Sequence, residues 1–254
     1  MIDAASLNNL ARTAAIDRYT ILREYVQVLF LDNLYQARTS RKIIFKGGTA
    51  LKILFGSPRF SEDLDFSTKL ARSTIVRLVN QTVTNLQTEA PGISVKNIKS
   101  IAGWSQKISF PTDFTPMPLT IKLDFSAREP ALTTYQNTIT TTLPVFSSSL
   151  ITALTPEEIL AEKIRAITSR NKGRDIFDLW FLLKKSNRLD KKLITAKFRL
   201  YHEKFSFPNL LEKIKQFDQK QLNQDITKFL PLNHRQVIPS LKKLTVEALQ
   251  TNVA

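Results

Sequence analysis

The sequence contains no cysteine, which excludes disulfides, thiolate zinc sites and cysteine nucleophiles. Histidine is almost as scarce, because only His202 and His234 are present and neither has a partner at the spacing of a metal site. No apolar run approaches the roughly 20 residues that cross a bilayer, and the N-terminus lacks the basic start and apolar run of a secretory signal. We therefore expect a cytoplasmic protein without a membrane partner, whose metal ions would be hard cations held by oxygen.

Negative charge is also in short supply. The chain has 37 Lys and Arg against 22 Asp and Glu, a formal net charge of +15. Residues 1–150 carry +6 of this charge and residues 151–254 carry +9, so the excess is denser in the shorter C-terminal part. Such a positive field favours a polyanionic partner through steering and counterion release. A lysine-rich surface that only improves solubility is the alternative.

The pattern of apolar residues changes near residue 150. Helical periodicity alternates with short strand-like runs before that point, and Thr138 to Leu150 is interpreted as strand and loop that close the first domain. Amphipathic helices follow from Thr155, which with Pro156 and Glu158 forms a capping box. We therefore predict an α+β fold, with a mixed-sheet domain and N-terminal helix over residues 1–150 and a basic helical domain over residues 151–254. The predicted helices are 16–37, 49–54 and 74–88, and the predicted strands begin at 43 and cover 60–66, 93–101, 106–110 and 119–125.

Two adjacent glycines and a threonine, Gly47-Gly48-Thr49, interrupt an apolar strand-like run and precede a short helical pattern. Glycine lets backbone N–H groups approach phosphate oxygens, and the N-terminus of a helix favours negative charge. Thr49 adds a hydroxyl donor, although such a triplet by itself is most often an ordinary turn. The motif is not a P-loop, since GxxxxGK[ST] is absent from the chain.

A pair of aspartates, Asp63 and Asp65, follows on a segment that alternates like a strand. Residues i and i+2 of a strand lie on one face about 6–7 Å apart, so both carboxylates can share divalent cations. Asp124, on a second alternating segment, supplies the third carboxylate expected at a two-metal site for phosphoryl or nucleotidyl transfer. The alternatives are a solvated strand edge for the pair and a salt bridge to Lys122 for Asp124. The order of strand, glycine turn, helix and Asp-bearing strands favours the catalytic interpretation.

Together these motifs resemble the AbiEii/AbiGii-type nucleotidyltransferase toxins of type IV toxin–antitoxin systems, in the DNA polymerase β-like superfamily. The resemblance covers roughly residues 45–183 and implies a mixed-sheet nucleotidyltransferase domain followed by a helical domain. It rests on KGGT at 46–49, RFSEDLDF at 59–66, IKLDF at 121–125, EKIRA at 162–166 and RDIFDL at 174–179.

The resemblance also implies roles for the first set of motifs. It assigns Gly47-Gly48-Thr49 to the triphosphate of an NTP substrate. Asp63 and Asp65 become ligands of Mg²⁺ or Mn²⁺. Asp124 becomes the third metal ligand and the group that activates the acceptor hydroxyl.

In the helical part, the resemblance makes Lys163 and Asp175 a functional pair at the nucleotide, where a cation would balance developing charge. An ordinary exposed helix lysine is the alternative for Lys163, and a purely structural role is favoured for Asp178. Ser61 is expected on the metal-facing side of the strand that carries Asp63. A phosphate added there by an antitoxin would block the site electrostatically.

We therefore expect a Mg²⁺-dependent enzyme that moves a nucleoside monophosphate from an NTP to an acceptor hydroxyl. The basic helical domain favours RNA, and the resemblance favours the 3′ end of tRNA, whose modification would inhibit translation in a phage-defence setting. A winged-helix regulator would be the antitoxin partner. The alternatives are transfer to a hydroxyl of a partner protein, and a catalytically idle protein that binds nucleic acid or nucleotides.

Overall fold

The structure is a computed structural model that describes residues 2–100, 103–113, 117–185 and 189–253. The chain forms two compact units, one of Met1–Gly56 and Phe60–Leu154 and one of Ser57–Arg59 and Thr155–Ala254. The short segment Ser57–Arg59 thus belongs to the second unit, although it lies within the first quarter of the chain. In the described ranges, no helix combines the length and apolar character needed to cross a membrane. The division into domains at residue 150 stays a prediction.

A mixed sheet of seven strands forms the centre of the first unit. Its strands are β1 (Ile43–Lys46), β2 (Leu64–Thr68), β3 (Ser94–Ile98), β4 (Trp104–Phe110), β5 (Leu119–Ser126), β6 (Thr134–Asn137) and β7 (Ile151–Leu154). They lie in the order β3-β4-β5-β2-β1-β7-β6. The pairs β2/β5 and β1/β7 are parallel, and the other neighbours are antiparallel. Because β5 buries every second residue from Leu119, its Lys122 and Asp124 lie on the opposite, half-exposed face.

The helices of the first unit are α1 (Ala4–Thr13), α2 (Arg18–Gln36), α3 (Gly47–Phe55) and α4 (Arg72–Leu86), with a 3₁₀ turn at Arg38–Lys42. Asp17 caps α2 by accepting a hydrogen bond of 2.8 Å from the backbone N–H of Thr20. Gly56, with a φ of 72°, ends α3 in the left-handed conformation. Since β1 ends at Lys46 and α3 begins at Gly47, strand and helix meet in a single turn.

The second unit is built from helices. They are α5 (Pro156–Ser169), α6 (Gly173–Lys184), α7 (Lys191–Arg199), α8 (Phe207–Gln216), α9 (Gln219–Thr227) and α10 (Leu241–Val253), with a 3₁₀ helix at Leu232–Ser240. Thr155 caps α5, because its hydroxyl oxygen accepts the backbone N–H of Glu158 at 3.4 Å. The predicted start of this helical region is therefore confirmed, and so is the α+β fold class.

The strand predicted over residues 60–66 is only partly correct. Strand β2 begins at Leu64, and the residues before it form a loop. The backbone carbonyls of Ser61 and Glu62 each accept a hydrogen bond of 3.1 Å from Gln27 Nε2. A side chain of α2 thus supports backbone that alternates in sequence like a strand without belonging to the sheet.

The end of the first unit also differs from the prediction. Residues 138–150 form no strand, and strands β6 and β7 flank them instead. Asp32 Oδ1 holds this segment by accepting hydrogen bonds from Ser147 Oγ at 2.8 Å, Ser148 N at 3.1 Å and Ser149 N at 3.0 Å. All four residues of Ile151–Leu154 are buried, so β7 has no polar alternation that sequence analysis could detect.

Candidate active site

The turn between β1 and α3 is built around Gly47, which has a φ of 79°. Left-handed backbone costs other residues about 1–2 kcal/mol, so this position favours glycine. A Cβ atom at Gly47 would also overlap Oδ2 of Asp65, which pairs with Lys46 across β1 and β2. The predicted phosphate turn and a predicted metal ligand are therefore in direct contact.

Thr49 lies buried in the first turn of α3, with 1% of its surface exposed. Its hydroxyl donates a hydrogen bond to the backbone carbonyl of Asp63. This bond ties the start of α3 to the residue that precedes β2, so Thr49 positions Asp63. A direct contact of its hydroxyl with the triphosphate stays a prediction.

The three predicted metal ligands lie close enough to influence one another. Asp65 and Asp124 are paired residues on the parallel strands β2 and β5, and neighbouring strands are about 4.8 Å apart. Asp63 is the last residue before β2. Burial and the negative charge of Asp65 raise the pKa of Asp63 to about 6, with Asp124 acting in the same direction and Lys122 opposing it. The site therefore concentrates negative charge.

Asp124 has two polar partners on its own sheet. Its Oδ2 lies 2.6 Å from Lys122 Nζ, and its Oδ1 accepts a hydrogen bond from the Ser105 hydroxyl on β4. The salt bridge considered as the alternative for Asp124 is therefore present. Burial opposes the charge of Lys122, but the hydrogen bond and charge of Asp124, with those of Asp63 and Asp65, raise the lysine pKa above its ordinary value. Across the described ranges, no three His, Asp or Glu side chains are already arranged as metal ligands.

Ser61 lies in the loop before β2. Its predicted place on the same strand face as Asp63 is therefore wrong, because this loop does not follow the two-residue period of a strand. The Ser61 side chain is half-buried, and its backbone carbonyl is held by Gln27. A role in nucleotide binding or as a modified residue stays a prediction.

The second unit brings Lys163 and Asp175 together. Lys163 Nζ lies 2.9 Å from Asp175 Oδ1 and 2.7 Å from Asp178 Oδ2. Only 8% of Lys163 is exposed, and both aspartates are buried. Burial alone would lower the pKa of Lys163, but the charges of Asp175 and Asp178 outweigh it and raise the pKa. The lysine is therefore part of an internal ion cluster and not an ordinary surface lysine.

Two arginines complete this cluster. Arg59 donates hydrogen bonds to the Asp178 carboxylate from Nε at 2.8 Å and from Nη2 at 2.9 Å. Arg170 donates to the Asp175 carboxylate in the same way, from Nε at 2.8 Å and from Nη2 at 2.9 Å. Burial raises the pKa of each aspartate, but the neighbouring cations have the larger effect. Lys163 and Arg170 hold the pKa of Asp175 well below its ordinary value. Arg59 and Lys163 lower the pKa of Asp178. Both carboxylates therefore stay ionised despite their burial.

Sequence analysis missed two members of this cluster, Arg170 and, far away in the chain, Arg59. Arg59 opens the motif that carries Asp63 and Asp65, and its partner Asp178 is 119 residues away in the chain. One signal could have found it: Asp175 and Asp178 are three residues apart and share a helix face, so two buried carboxylates there need more than one cation.

Comparison with known proteins decides the family. The family model described as nucleotidyl transferase AbiEii toxin, type IV TA system, matches residues 29–245, well over half of the chain. The chain belongs to the AbiEii nucleotidyltransferase toxin family. The resemblance found in the sequence is thereby confirmed. Curated protein sequences give no match.

Two solved structures share the fold of this AbiEii family member. MenT4, the nucleotidyltransferase toxin Rv2826c from Mycobacterium tuberculosis H37Rv, aligns with a TM-score of 0.63 at 19% identity, over 98% of this chain and 90% of MenT4. JHP933 from Helicobacter pylori aligns with a TM-score of 0.57 at 21% identity, over 94% of this chain and 95% of JHP933. At this level of identity the likeness concerns the fold.

Family membership makes this chain an enzyme, a nucleotidyltransferase toxin of a type IV toxin–antitoxin system. An NTP is then its substrate, and an antitoxin is its partner. The Gly47 turn and the neighbouring aspartates lie within the matched residues, as does the Lys163 cluster from α5 onward.

Proposed function

We propose that this toxin uses Mg²⁺ to transfer a nucleoside monophosphate from an NTP to the 3′-terminal hydroxyl of tRNA, which releases pyrophosphate and inhibits translation. The observation that carries the proposal is Asp65, which pairs with Asp124 across two parallel strands and contacts Gly47. A carboxylate pair beside an anion-binding turn supports this chemistry, because the reaction needs a cation and a triphosphate at one point.

Asp63, Asp65 and Asp124 would hold the metal. Their oxygen donors suit Mg²⁺ or Mn²⁺. Besides burial, the charges of Asp65 and Asp124 raise the pKa of Asp63, and a cation among the three would relieve that repulsion. When bound, such a metal polarises the α-phosphate and offsets the charge that develops on the leaving pyrophosphate.

Gly47 and Gly48 would receive the phosphates. The first turn of α3 contains no acidic residue, and the N–H groups of a first helical turn lack intrahelical partners. The partial positive charge at a helix N-terminus adds to their attraction for anions. Because Gly47 has no side chain, the Asp65 carboxylate can lie directly against this turn, and a cation held by Asp65 would therefore be beside the bound phosphates.

Asp124 is our candidate for the group that takes the proton from the acceptor hydroxyl. Ser105 donates to its Oδ1 and so fixes the orientation of the carboxylate. Lys122 Nζ pairs with Oδ2 at 2.6 Å, so this oxygen already faces a group that donates protons in hydrogen bonds. We therefore assign proton uptake to Oδ2, which would exchange the Lys122 ammonium for the hydroxyl when the acceptor binds.

Charge supports RNA as the acceptor. Residues 151–254 carry a net charge of +9, and Lys191, Lys192 and Arg199 are exposed on α7. Lys197 is different, because it is fully buried and pairs with Glu158 at 2.6 Å. The basic character of this helix is therefore partly structural, and the exposed cations are the candidates for phosphate contacts.

The remaining roles suggested by the family complete the proposal. Lys163 and Asp175 would serve nucleotide binding, the lysine by offsetting phosphate charge. An antitoxin of the winged-helix type would control the toxin. A phosphate group on Ser61, two residues before Asp63, would repel an NTP.

The test compares wild type with Asp65→Ala, using each [α-³²P]NTP in turn and total RNA as acceptor. We expect Mg²⁺-dependent label in RNA with the wild type and background label with the variant. Asp113→Ala, on an exposed loop, is the matched control and should behave as wild type. Label in protein would favour a protein acceptor, and RNA binding without any label would favour an idle protein.

A further inference from the structure

A cleft of about 480 Å³ opens on the first unit, and its lining includes Ile44, Ser67 and Ser126. These three residues are neighbours across β1, β2 and β5, because Ile44 pairs with Ser67 and Ser67 pairs with Ser126. Asp65 and Asp124 precede the two serines by two residues and pair with each other in the same way. Since alternate residues of a strand share a face, the cleft continues the sheet face of the carboxylates about 6–7 Å further along the strands.

The Ser67 hydroxyl is the feature that points to a ligand. Ser67 is 2% exposed, and its Oγ has no hydrogen-bond partner among the described residues. Its neighbour Ser126 differs, because Ser126 Oγ accepts the backbone N–H of Arg128 at 3.2 Å. Buried hydroxyls are nearly always hydrogen-bonded, since leaving them unpaired is costly. A group bound in the cleft would supply the missing partner.

The lining indicates what kind of group fits. Leu70 and Ala131 provide apolar surface, and the Glu129 carboxylate at the cleft is paired with Lys46 Nζ at 3.7 Å. Apolar surface beside an ion pair whose charges balance favours an uncharged group with polar edges over a triphosphate. Lys42 and Lys69 also line the cleft and are exposed, so they can reach an anion outside it. An uncharged ring system with a phosphate attached, as in an RNA strand, has this distribution of charge.

The position of the cleft indicates which nucleoside it holds, that of the NTP or that of the acceptor RNA. Along the strands, the start of α3 lies on one side of Asp65 and the cleft lies on the other, because Gly47 follows Lys46 whereas Ile44 precedes it. In nucleotidyl transfer the attacking and leaving oxygens are roughly in line on opposite sides of the phosphorus. With pyrophosphate leaving at the Gly47 turn, the acceptor hydroxyl must arrive from the side of the cleft.

We infer that this cleft is the acceptor subsite and holds the terminal nucleoside of the RNA, with Ser67 Oγ hydrogen-bonded to it and Lys42 and Lys69 near the preceding phosphate. The inference rests on the proposed function. In the step it serves, the ribose oxygen bonds to the α-phosphorus and the bond from phosphorus to pyrophosphate breaks. The hydroxyl proton passes to Asp124, and pyrophosphate leaves with the electron pair of the broken bond.

Two substitutions in the full chain test the subsite, with total tRNA and labelled NTP as substrates. Ser67→Ala should raise the KM for tRNA about fivefold, the effect of one lost hydrogen bond, without changing the KM for NTP. It should not lower thermal stability, because none of the described residues forms a hydrogen bond with this hydroxyl. Ala131→Trp should fill the cleft and raise the KM for tRNA at least about tenfold. Ser94→Ala and Ala5→Trp, both exposed and outside the cleft, are the matched controls.

The outcomes separate this inference from the proposed function. If wild type labels tRNA but neither variant changes the KM for tRNA, the subsite is wrong and the proposed function stands. If the KM for NTP rises instead, the cleft holds the nucleoside of the NTP, and the inference is also overturned. Absence of label in tRNA with wild type would refute the proposed function itself, and the acceptor subsite with it. Should Ala131→Trp fail to fold, the KM values of Ser67→Ala decide alone.

Discussion

Replacing Gly47 by alanine tests whether the phosphate turn and the carboxylate site depend on each other. Alanine would have to adopt a φ of 79°, which costs about 1–2 kcal/mol and lowers Tm by about 2–8 °C. Its methyl group would also overlap Asp65 Oδ2. The carboxylate must then move by up to about 1 Å, a misplacement that costs about 100-fold in rate. We therefore expect a folded protein whose kcat falls about 100-fold.

Gly56→Ala provides the matched control. Gly56 ends α3 with a φ of 72°, so alanine there meets the same backbone strain. The whole of α3 separates this position from Gly47 and its contact with Asp65. Both variants should lose similar thermal stability, measured by differential scanning fluorimetry. Only Gly47→Ala should lose the transfer of labelled nucleotide, measured as an initial rate at saturating NTP. Equal rates for the two variants would refute the idea that the turn positions the carboxylate.

Two further predictions concern the ion pairs of the second unit and their contribution to the free energy of unfolding. Asp178→Ala should lower the free energy of unfolding, measured in urea, by about 3–5 kcal/mol, because Arg59 and Lys163 would stay buried with one carboxylate fewer. Burial raises the pKa of Asp178 but Arg59 and Lys163 outweigh it, so the folded pKa lies below the unfolded one. This contribution is complete above the unfolded pKa of about 3.9 and is lost as pH falls towards the folded pKa, so the difference between wild type and variant should shrink in acid. Lys197→Ala should also lower the free energy of unfolding by about 3–5 kcal/mol, since it removes the cation that lies 2.6 Å from the buried Glu158 carboxylate. Weaker tRNA binding at unchanged stability would contradict a structural role for Lys197.

Local patterns were sufficient to place Asp65 and Asp124 on strands, whereas Asp63 lies just before β2 and not on the predicted strand. Asp124 stands in a segment whose alternate residues are all buried, and Asp65 stands between two buried residues of β2. Such alternation determines which side chains share a face before any partner strand is known. The Gly47 turn was equally accessible, because strand and helix patterns meet there without an intervening loop.

Pairing between distant segments was not accessible in this way. No local pattern shows that Asp65 lies beside Asp124, or that Ser67 lies beside Ser126, because register depends on how whole strands pack. The bond between Arg59 and Asp178 spans 119 residues. Strand β7 was not predicted from the sequence for a related reason. Both of its faces are buried, so it lacks the alternation of polar and apolar residues that identifies a strand.

The charges around Lys163 limit how it can act on a nucleotide. Arg59 and Lys163 bring two positive charges to the two negative charges of Asp175 and Asp178, and all four side chains are buried. Arg170 adds a fifth charge, but its side chain is 58% exposed and therefore largely solvated. Lys163 Nζ is thus already balanced by two carboxylates at 2.9 and 2.7 Å. A role at the nucleotide requires an anion that competes with both carboxylates for this ammonium group, which a polyanionic triphosphate can do and a neutral ligand cannot.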